Sequence, residues 1–155
     1  MAANDPADLF ARHRHDVYRY LVRMTGRRDD ADDLAQDVFL RVVRAGANGG
    51  PVGHERGWIF AIARNVLADR YRDRQRDITL VENAPEPTRE GTQTLAFGLT
   101  QSLARLSPAD REVFLLKEVG GLSYREIGEV CGCSVEAVRA RLHRTRATLR
   151  AMLSL

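Results

Sequence analysis

Arginines are concentrated in one short segment near the end of the chain. The segment carries Arg139, Arg141, Arg144 and Arg146 against a single acid, Glu136. Guanidinium groups neutralise phosphates and can form paired hydrogen bonds with the edge of a guanine base. This residue type at this density therefore predicts nucleic-acid recognition rather than catalysis.

The elements that must position these arginines are two helices joined by a tight turn. Ser123 and Glu126 have the spacing of a capping box, which opens the first helix. Gly132 takes a positive φ freely in the bend, Ser134 can cap the second helix, and Gly128 permits close helix approach. The apolar stripes are Ile127 and Cys131 on the first helix, with Val135, Val138 and Leu142 on the second. The pattern predicts a helix-turn-helix whose second helix presents arginines to a DNA major groove.

Three further helices are predicted in the first half of the chain. Asp5 and Pro6 have the types expected at an N-cap and first helical position, and the apolar pattern that follows continues to Gly26. A second helix begins in the acidic cluster 29–33, where carboxylates favour the positive helix end, and continues to Ala45. The third helix starts near Trp58, whose spacing with the following apolar residues predicts a core position.

Two polar segments interrupt the helical pattern. Residues 46–53 are rich in glycine, and residues 77–94 contain two prolines and the acids Glu82, Glu86 and Glu90. We predict an all-α fold of two small helical domains, 1–76 and 95–155, joined by a flexible acidic linker at 77–94. A block of helices continues after the linker, and no segment has strand periodicity.

Composition limits the classes of function. The 155 residues carry a formal net charge of +3, so a basic surface must arise from segregation of charge. No run is apolar enough to span a membrane and the N-terminus lacks a secretory pattern, which predicts a cytoplasmic protein without membrane insertion. Few residues follow the helix-turn-helix, so we expect no further C-terminal domain.

The cysteine and histidine residues offer a second, weaker hypothesis. Cys131 and Cys133 lie too close together for an easy mutual disulfide, and they occupy positions typical of core aliphatic residues. His13 and His15 lie in the other predicted domain. We therefore expect structural thiols, no metal site and no cofactor, with a redox or metal sensor kept as an alternative.

Three motifs together resemble one known family. They occupy residues 30–42 in the second helix, residues 58–72 in the third and residues 106–146 at the end. With these motifs in this order, the chain resembles bacterial RNA polymerase sigma factors of the sigma-70 family. It is most similar to their extracytoplasmic-function group, also called group 4. The resemblance implies an alternative sigma factor for transcription initiation, not an enzyme, which binds core RNA polymerase and directs it to promoters.

The resemblance also implies site residues and partners. The residues matching the −35 readers are Arg125, Glu136, Arg139, Ala140, Arg141, His143, Arg144 and Arg146. Those matching the −10 contacts are Asn48, Arg64, Asn65, Asp69, Arg70 and Arg72, with Phe60 as an aromatic that could stack on an unpaired base. Those matching the polymerase-binding face are Asp30, Asp33, Leu34, Gln36, Asp37 and Phe39. The implied partners are the clamp helices of the polymerase largest subunit, the flap of the second-largest subunit, promoter DNA and an anti-sigma factor.

A stand-alone helix-turn-helix regulator is the other alternative. Such regulators bind duplex operators as dimers, whereas a sigma factor of this group needs core polymerase to bind and melt a promoter.

Overall fold

Seven helices and no strand make up the regular structure of the residues that the computed structural model describes, which are 5–47, 54–78 and 94–154. The helices are α1 (Pro6–Thr25), α2 (Arg28–Ala47), α3 (Glu55–Ile78), α4 (Thr94–Arg105), α5 (Pro108–Glu118), α6 (Tyr124–Cys131) and α7 (Val135–Leu153). The all-α prediction is confirmed. Asn48, most of the glycine-rich segment, and the linker glutamates Glu82, Glu86 and Glu90 lie outside the described residues.

Helix α1 begins and ends at the predicted residues. The side chain of Asp5 accepts a hydrogen bond from the backbone nitrogen of Ala7 at 3.4 Å, and Pro6 is the first helical residue. Gly26 closes the helix with a φ of 74°, a backbone conformation that glycine adopts at little steric cost. The N-cap and C-cap signals in the sequence therefore fix both ends of this helix.

Helices α1, α2 and α3 pack on one another as a three-helix bundle. Their apolar faces are buried together, as the helical periodicity requires. The buried apolar residues of this bundle are Leu9, Val17, Tyr20, Leu21, Ala31, Leu34, Val38, Val42, Ile59, Phe60, Ala63 and Val66. Their burial gives the three helices a common apolar core.

The second bundle is built around α7, which packs against α4, α5 and α6. Ser107 caps α5 by accepting from the backbone nitrogen of Asp110 at 3.2 Å, and Pro108 is its first residue. The buried apolar residues here are Leu103, Leu106, Val113, Leu115, Leu116, Leu122, Ile127, Val138, Leu142 and Leu149. Burial of one side of α7 leaves its arginine-rich side at the surface.

The two bundles also pack against each other. Helix α1 contacts α4 and α5, and α3 contacts α6. The Arg56 guanidinium donates both to Asp16, at 2.9 Å, and to the carbonyl oxygen of Gly120, at 2.7 Å. The Arg111 guanidinium donates to the carbonyl oxygen of Met24 at 3.1 Å. These contacts join the bundles, while the boundaries 1–76 and 95–155 stay a prediction.

Candidate nucleic-acid interface and neighbouring docking face

The helix-turn-helix has the predicted caps. Ser123 Oγ accepts from the backbone nitrogen of Glu126 at 3.1 Å, and the Glu126 carboxylate accepts from the backbone nitrogen of Ser123 at 2.9 Å. A Cβ atom at Gly128 would lie 2.7 Å from the carbonyl oxygen of Cys133, so only glycine permits this approach of the turn to α6. Ser134 caps α7 by accepting from Ala137 at 3.1 Å. The angle at which α7 is presented therefore depends on local residues.

One long side of α7 is exposed and the opposite side is buried. The buried side contains Val138, Leu142, Thr145 and Leu149. Five of the residues predicted to read DNA are exposed on the other side, namely Glu136, Arg139, Ala140, His143 and Arg144. Arg125 is exposed on α6, where it pairs with Glu129 at 3.4 Å. The fold thus brings most of the predicted −35 set to one surface.

Carboxylates of α5 restrain three arginines of α7. Asp110 lies 3.6 Å from Nε of Arg141 and accepts a hydrogen bond from Arg144 at 3.4 Å. Glu118 accepts from Arg146 at 2.8 Å. Ion pairs at a surface contribute little to stability, but they limit the directions in which these guanidinium groups point. Sequence reasoning did not identify Asp110 or Glu118, because both lie on another helix.

An aromatic ring from α6 lies beside the arginine side of α7. The Tyr124 ring centroid is 5.7 Å from Cζ of Arg139 and 5.2 Å from Nζ of Lys117. A groove of about 240 Å³ runs along this part of the surface. Its lining residues are Tyr124, Arg139, Leu142, His143, Arg146, Ala147 and Arg150. The groove is basic along one helix and has an aromatic side chain at its wall.

The predicted −10 residues on α3 have differing surroundings. Asn65 is exposed, whereas Arg64 pairs with Glu112 of α5. Asp69 accepts hydrogen bonds from Arg41, at 2.7 Å, and from Arg72, and these bonds, with that from Arg41 foremost, lower the pKa of Asp69. Arg70 is half-buried. Asn65 and Arg72 are thus the exposed members of this set, and the Arg72 guanidinium is engaged by Asp69.

Phe60 does not have the exposure predicted for it. Its ring is fully buried and packs edge-on against Tyr20, with 5.4 Å between centroids. A ring in the core cannot stack on a base, so the prediction for Phe60 is wrong. Trp58 packs against the core as predicted, and Tyr71, which is 61% exposed, is the aromatic of α3 that remains at the surface.

The predicted docking face on α2 is only partly at the surface. Asp33, Gln36 and Asp37 are exposed, but Leu34 is fully buried and is wrongly assigned to this face, because it points into the three-helix core. Asp30 is half-buried and accepts a hydrogen bond from Arg74 at 2.5 Å. Phe39 is half-buried and packs on the ring of Phe10 at 5.1 Å.

Two apolar side chains complete this exposed face of α2. Leu40 is 53% exposed and Val43 is 40% exposed. They continue the spacing of three and four residues that begins at Asp33 and Gln36, so they lie on the same side of the helix. That spacing was the signal in the sequence that Leu40 and Val43 share a side with the exposed acids. Apolar residues in an amphipathic helix are, however, ordinarily assigned to the core. We name the set Asp33, Gln36, Asp37, Leu40 and Val43 the α2 outer face.

The cysteine pair has the environment of structural thiols. Cys131 Sγ donates to Glu112 at 3.5 Å, and burial together with the Glu112 charge raises its thiol pKa to about 12. Such a thiol is protonated near neutral pH and is a poor nucleophile or metal ligand. Both cysteines are free, and no group of three potential metal ligands occurs among the described residues. The sensor alternative is not favoured.

Two family models match nearly the whole helical sequence. Residues 9–77 match the model described as Sigma-70 region 2, and residues 97–149 match Sigma-70, region 4. The chain is 35% identical to the ECF RNA polymerase sigma factor SigC of Mycobacterium tuberculosis, with 88% of this chain and 76% of the relative covered. It is 34% identical to the RNA polymerase sigma factor CarQ of Myxococcus xanthus, over 94% of this chain and 87% of the relative. The chain belongs to the extracytoplasmic-function RNA polymerase sigma factors.

Longer relatives and solved structures agree with this assignment. This sigma factor is 36% identical to SigE of Mycolicibacterium smegmatis over 95% of its own chain, but it spans only 61% of that relative's length. It superposes on CnrH, solved with the cytosolic domain of CnrY, with a TM-score of 0.74 and 29% identity, covering 96% and 87% of the two chains. RpoE of Bartonella quintana, solved with the anti-sigma factor NepR, has the same fold, with a TM-score of 0.76, 24% identity and 90% coverage of each chain.

The described helices were also searched for membrane spans. None of those in 5–47, 54–78 and 94–154 combines the length and apolar character that crossing a bilayer requires. The stand-alone regulator is not favoured either, since both sigma-70 regions match this sigma factor in the family's order.

Proposed function

We propose that this sigma factor is a removable specificity subunit that binds core RNA polymerase in the cytoplasm and directs it to particular promoters. Its proposed partners are the clamp helices of the largest subunit, the flap of the second-largest subunit and promoter DNA. The chemistry of RNA synthesis belongs to the polymerase, so we assign no catalytic residue and no cofactor.

The observation that carries the proposal is the exposed arginine side of α7, presented on a capped helix-turn-helix. A helix with one buried side and one basic side fits a major groove, where side chains near its N-terminus meet base edges. We assign −35 reading to the exposed residues Arg139, Ala140, His143 and Arg144, with Arg146 farther along the helix as a phosphate contact.

The −10 element is assigned to the outer side of α3. Asn65 and Tyr71 are exposed there, and an amide and an aromatic ring are the groups that bond to and stack on an unpaired base. Arg64 pairs with Glu112, so a promoter phosphate would have to replace that carboxylate. Arg72 donates to Asp69, which lies one helical turn earlier in α3.

Core polymerase is assigned to the α2 outer face. This face combines the carboxylates of Asp33 and Asp37 with the exposed apolar side chains of Leu40 and Val43. Docking surfaces commonly place apolar contacts beside charges that set electrostatic fit. The mixture therefore suits a basic and partly apolar partner surface.

An anti-sigma factor is a further proposed partner. Two solved structures of similar fold contain the anti-sigma factor NepR and the cytosolic domain of CnrY. The chain of this sigma factor aligns with both over both of its bundles. We therefore expect a protein of that kind to hold it inactive, although no residue identifies which one.

Run-off transcription with core polymerase and a promoter library tests the proposal directly. We expect transcripts from a subset of promoters sharing one −35 and one −10 sequence, and only when both core polymerase and this chain are present. Arg139→Ala should change which promoters are selected, whereas the matched control Arg14→Ala, an exposed arginine on α1, should not. Absence of promoter-dependent transcripts would overturn the assignment.

Gel shift with duplex promoter DNA separates this function from that of a stand-alone regulator. A sigma factor should give a specific complex only with core polymerase added, because melting and full contact need the enzyme. A stand-alone regulator would be favoured if the chain without core polymerase gave a specific shift of the same DNA, with two copies of the chain bound to each duplex.

A further inference from the structure

Tyr124 is the first residue of α6 and contacts two neighbouring helices. Its side chain is half-buried and packs against the core. Nζ of Lys117, from α5, lies 5.2 Å from the ring centroid, and Cζ of Arg139, from α7, lies 5.7 Å from it. A single ring therefore holds one cation from each helix that flanks α6.

The contact with Arg139 has a physical effect on how that side chain is presented. A cation within about 6 Å of an aromatic ring centroid is attracted by the electrons of the ring face. An exposed arginine otherwise samples many rotamers, and ordering it on binding costs free energy in lost side-chain freedom. A ring that selects some of those rotamers beforehand lowers this cost and favours one direction of the guanidinium.

A second arginine of α7 lies along the same groove. Arg146 donates to Glu118 at 2.8 Å, and that hydrogen bond raises its pKa. Arg139 and Arg146 are about two helical turns apart, so they lie on the same side of α7. Both line the groove of about 240 Å³ that Tyr124 walls.

We propose that Tyr124 is a positioning residue for recognition of the −35 element, its ring orienting Arg139 towards a base. The inference rests on the proposed function, because it takes α7 to be the reading helix. It assigns an effect on sequence preference to the aromatic ring of Tyr124.

Three variants of the full-length chain, each assembled with core polymerase, test this role of the ring. Tyr124→Leu keeps an apolar body but removes ring and hydroxyl, Tyr124→Phe removes the hydroxyl alone, and Tyr18→Leu is a control at another half-buried tyrosine packed on the core. Binding is measured on duplex promoters that differ at single −35 positions, across a salt series. Thermal melting of each variant reports whether the fold is retained.

Tyr124→Leu should relax preference by about twofold to fivefold, at the same base position that Arg139→Ala affects. In the double variant, which combines Tyr124→Leu with Arg139→Ala, the two effects on preference should not add, because both substitutions disrupt the same pair of side chains. Tyr124→Phe keeps the aromatic ring and should therefore keep the sequence preference.

Two results would overturn the inference. One is a Tyr124→Leu variant that is folded and keeps full sequence preference while Arg139→Ala relaxes it; the other is strict additivity of the two changes. A different outcome, in which Arg139→Ala itself leaves binding to every −35 variant unchanged, would overturn the reading face in the proposed function and this inference with it.

Discussion

Arg64 of α3 donates to the carboxylate of Glu112 of α5, so the pair joins the two helix bundles across 48 positions of sequence. The same carboxylate accepts from the thiol of Cys131. Beside them, Tyr20 is fully buried, and burial followed by the Glu112 charge raises its pKa well above the ordinary value. Polar groups of α3, α5 and α6 therefore meet at one point between the bundles.

Glu112→Gln should lower the free energy of unfolding by about 1 kcal/mol, because Arg64 loses a charged partner where solvent only partly compensates. Urea unfolding measures the change. The control is Glu129→Gln, whose carboxylate is 63% exposed and pairs with Arg125 one turn away, compared with 15% exposure for Glu112. If both substitutions lowered the free energy of unfolding equally, the Arg64–Glu112 contact between the bundles would contribute no more stability than an exposed ion pair.

Reversing charge on the α2 outer face should weaken binding to core polymerase while leaving the fold intact. Asp33→Lys and Asp37→Lys each change an exposed carboxylate, which contributes little to stability but sets the fit of a docking surface. Affinity for core polymerase at moderate salt is the measurement. Asp8→Lys, an exposed acid on α1, is the control, and equal affinities for all three variants would contradict the assignment of this face.

Leu40→Ala should reduce polymerase affinity severalfold with almost no change in melting temperature, because an exposed leucine contributes to docking rather than to the core. Leu40 is 53% exposed, and Leu153, near the end of α7, is 49% exposed and supplies a matched control. Leu153→Ala should leave polymerase affinity unchanged. Titration of labelled core polymerase with each variant compares them, and identical affinities would argue against an apolar contact at Leu40.

Cys131→Val should retain promoter-dependent transcription and should alter how stability depends on pH. The folded thiol has a pKa of about 12 against an ordinary value of 9.0. Its proton therefore stabilises the native state fully below about pH 9, and that stabilisation is lost progressively as pH rises towards the folded pKa. Between pH 7.5 and pH 10, the free energy of unfolding should therefore fall more for the unsubstituted protein than for the Cys131→Val variant. The same fall in both would exclude Cys131 as the cause.

Arg139 and Arg146 should separate base reading from phosphate contact. Arg139→Ala should cost ~1–3 kcal/mol on the cognate −35 element and relax preference at one position. Arg146→Ala should weaken all sequences about equally and reduce the salt slope by about one. Holoenzyme binding to −35 variants across a salt series measures both, and a uniform loss from Arg139→Ala would mean that the reading face is misassigned.

Features that depend on residues close together in the chain were predictable from the sequence. The capping box of Ser123 and Glu126, the positive φ of Gly132 and the N-cap at Asp5 all lie where their local spacing placed them. Each of these features depends on hydrogen bonds or backbone sterics within one helical turn, so the neighbouring residues in the sequence are enough to predict it. The same holds for the exposed and buried sides of α7, because periodicity fixes which residues share a side.

Contacts between distant helices were decided only by the tertiary structure. Leu34 and Phe60 belong to sets predicted to bind partners, yet both are buried, because the packing of α1 on α2 and α3 covers them. Leu40 was overlooked for the converse reason, since none of the described helices covers it. The partners of Arg64, Arg144 and Arg146 are carboxylates of α5 that lie 48, 34 and 28 positions away. Periodicity determines which side of a helix is apolar, but only the packing of whole helices determines which side chain on another helix each residue meets.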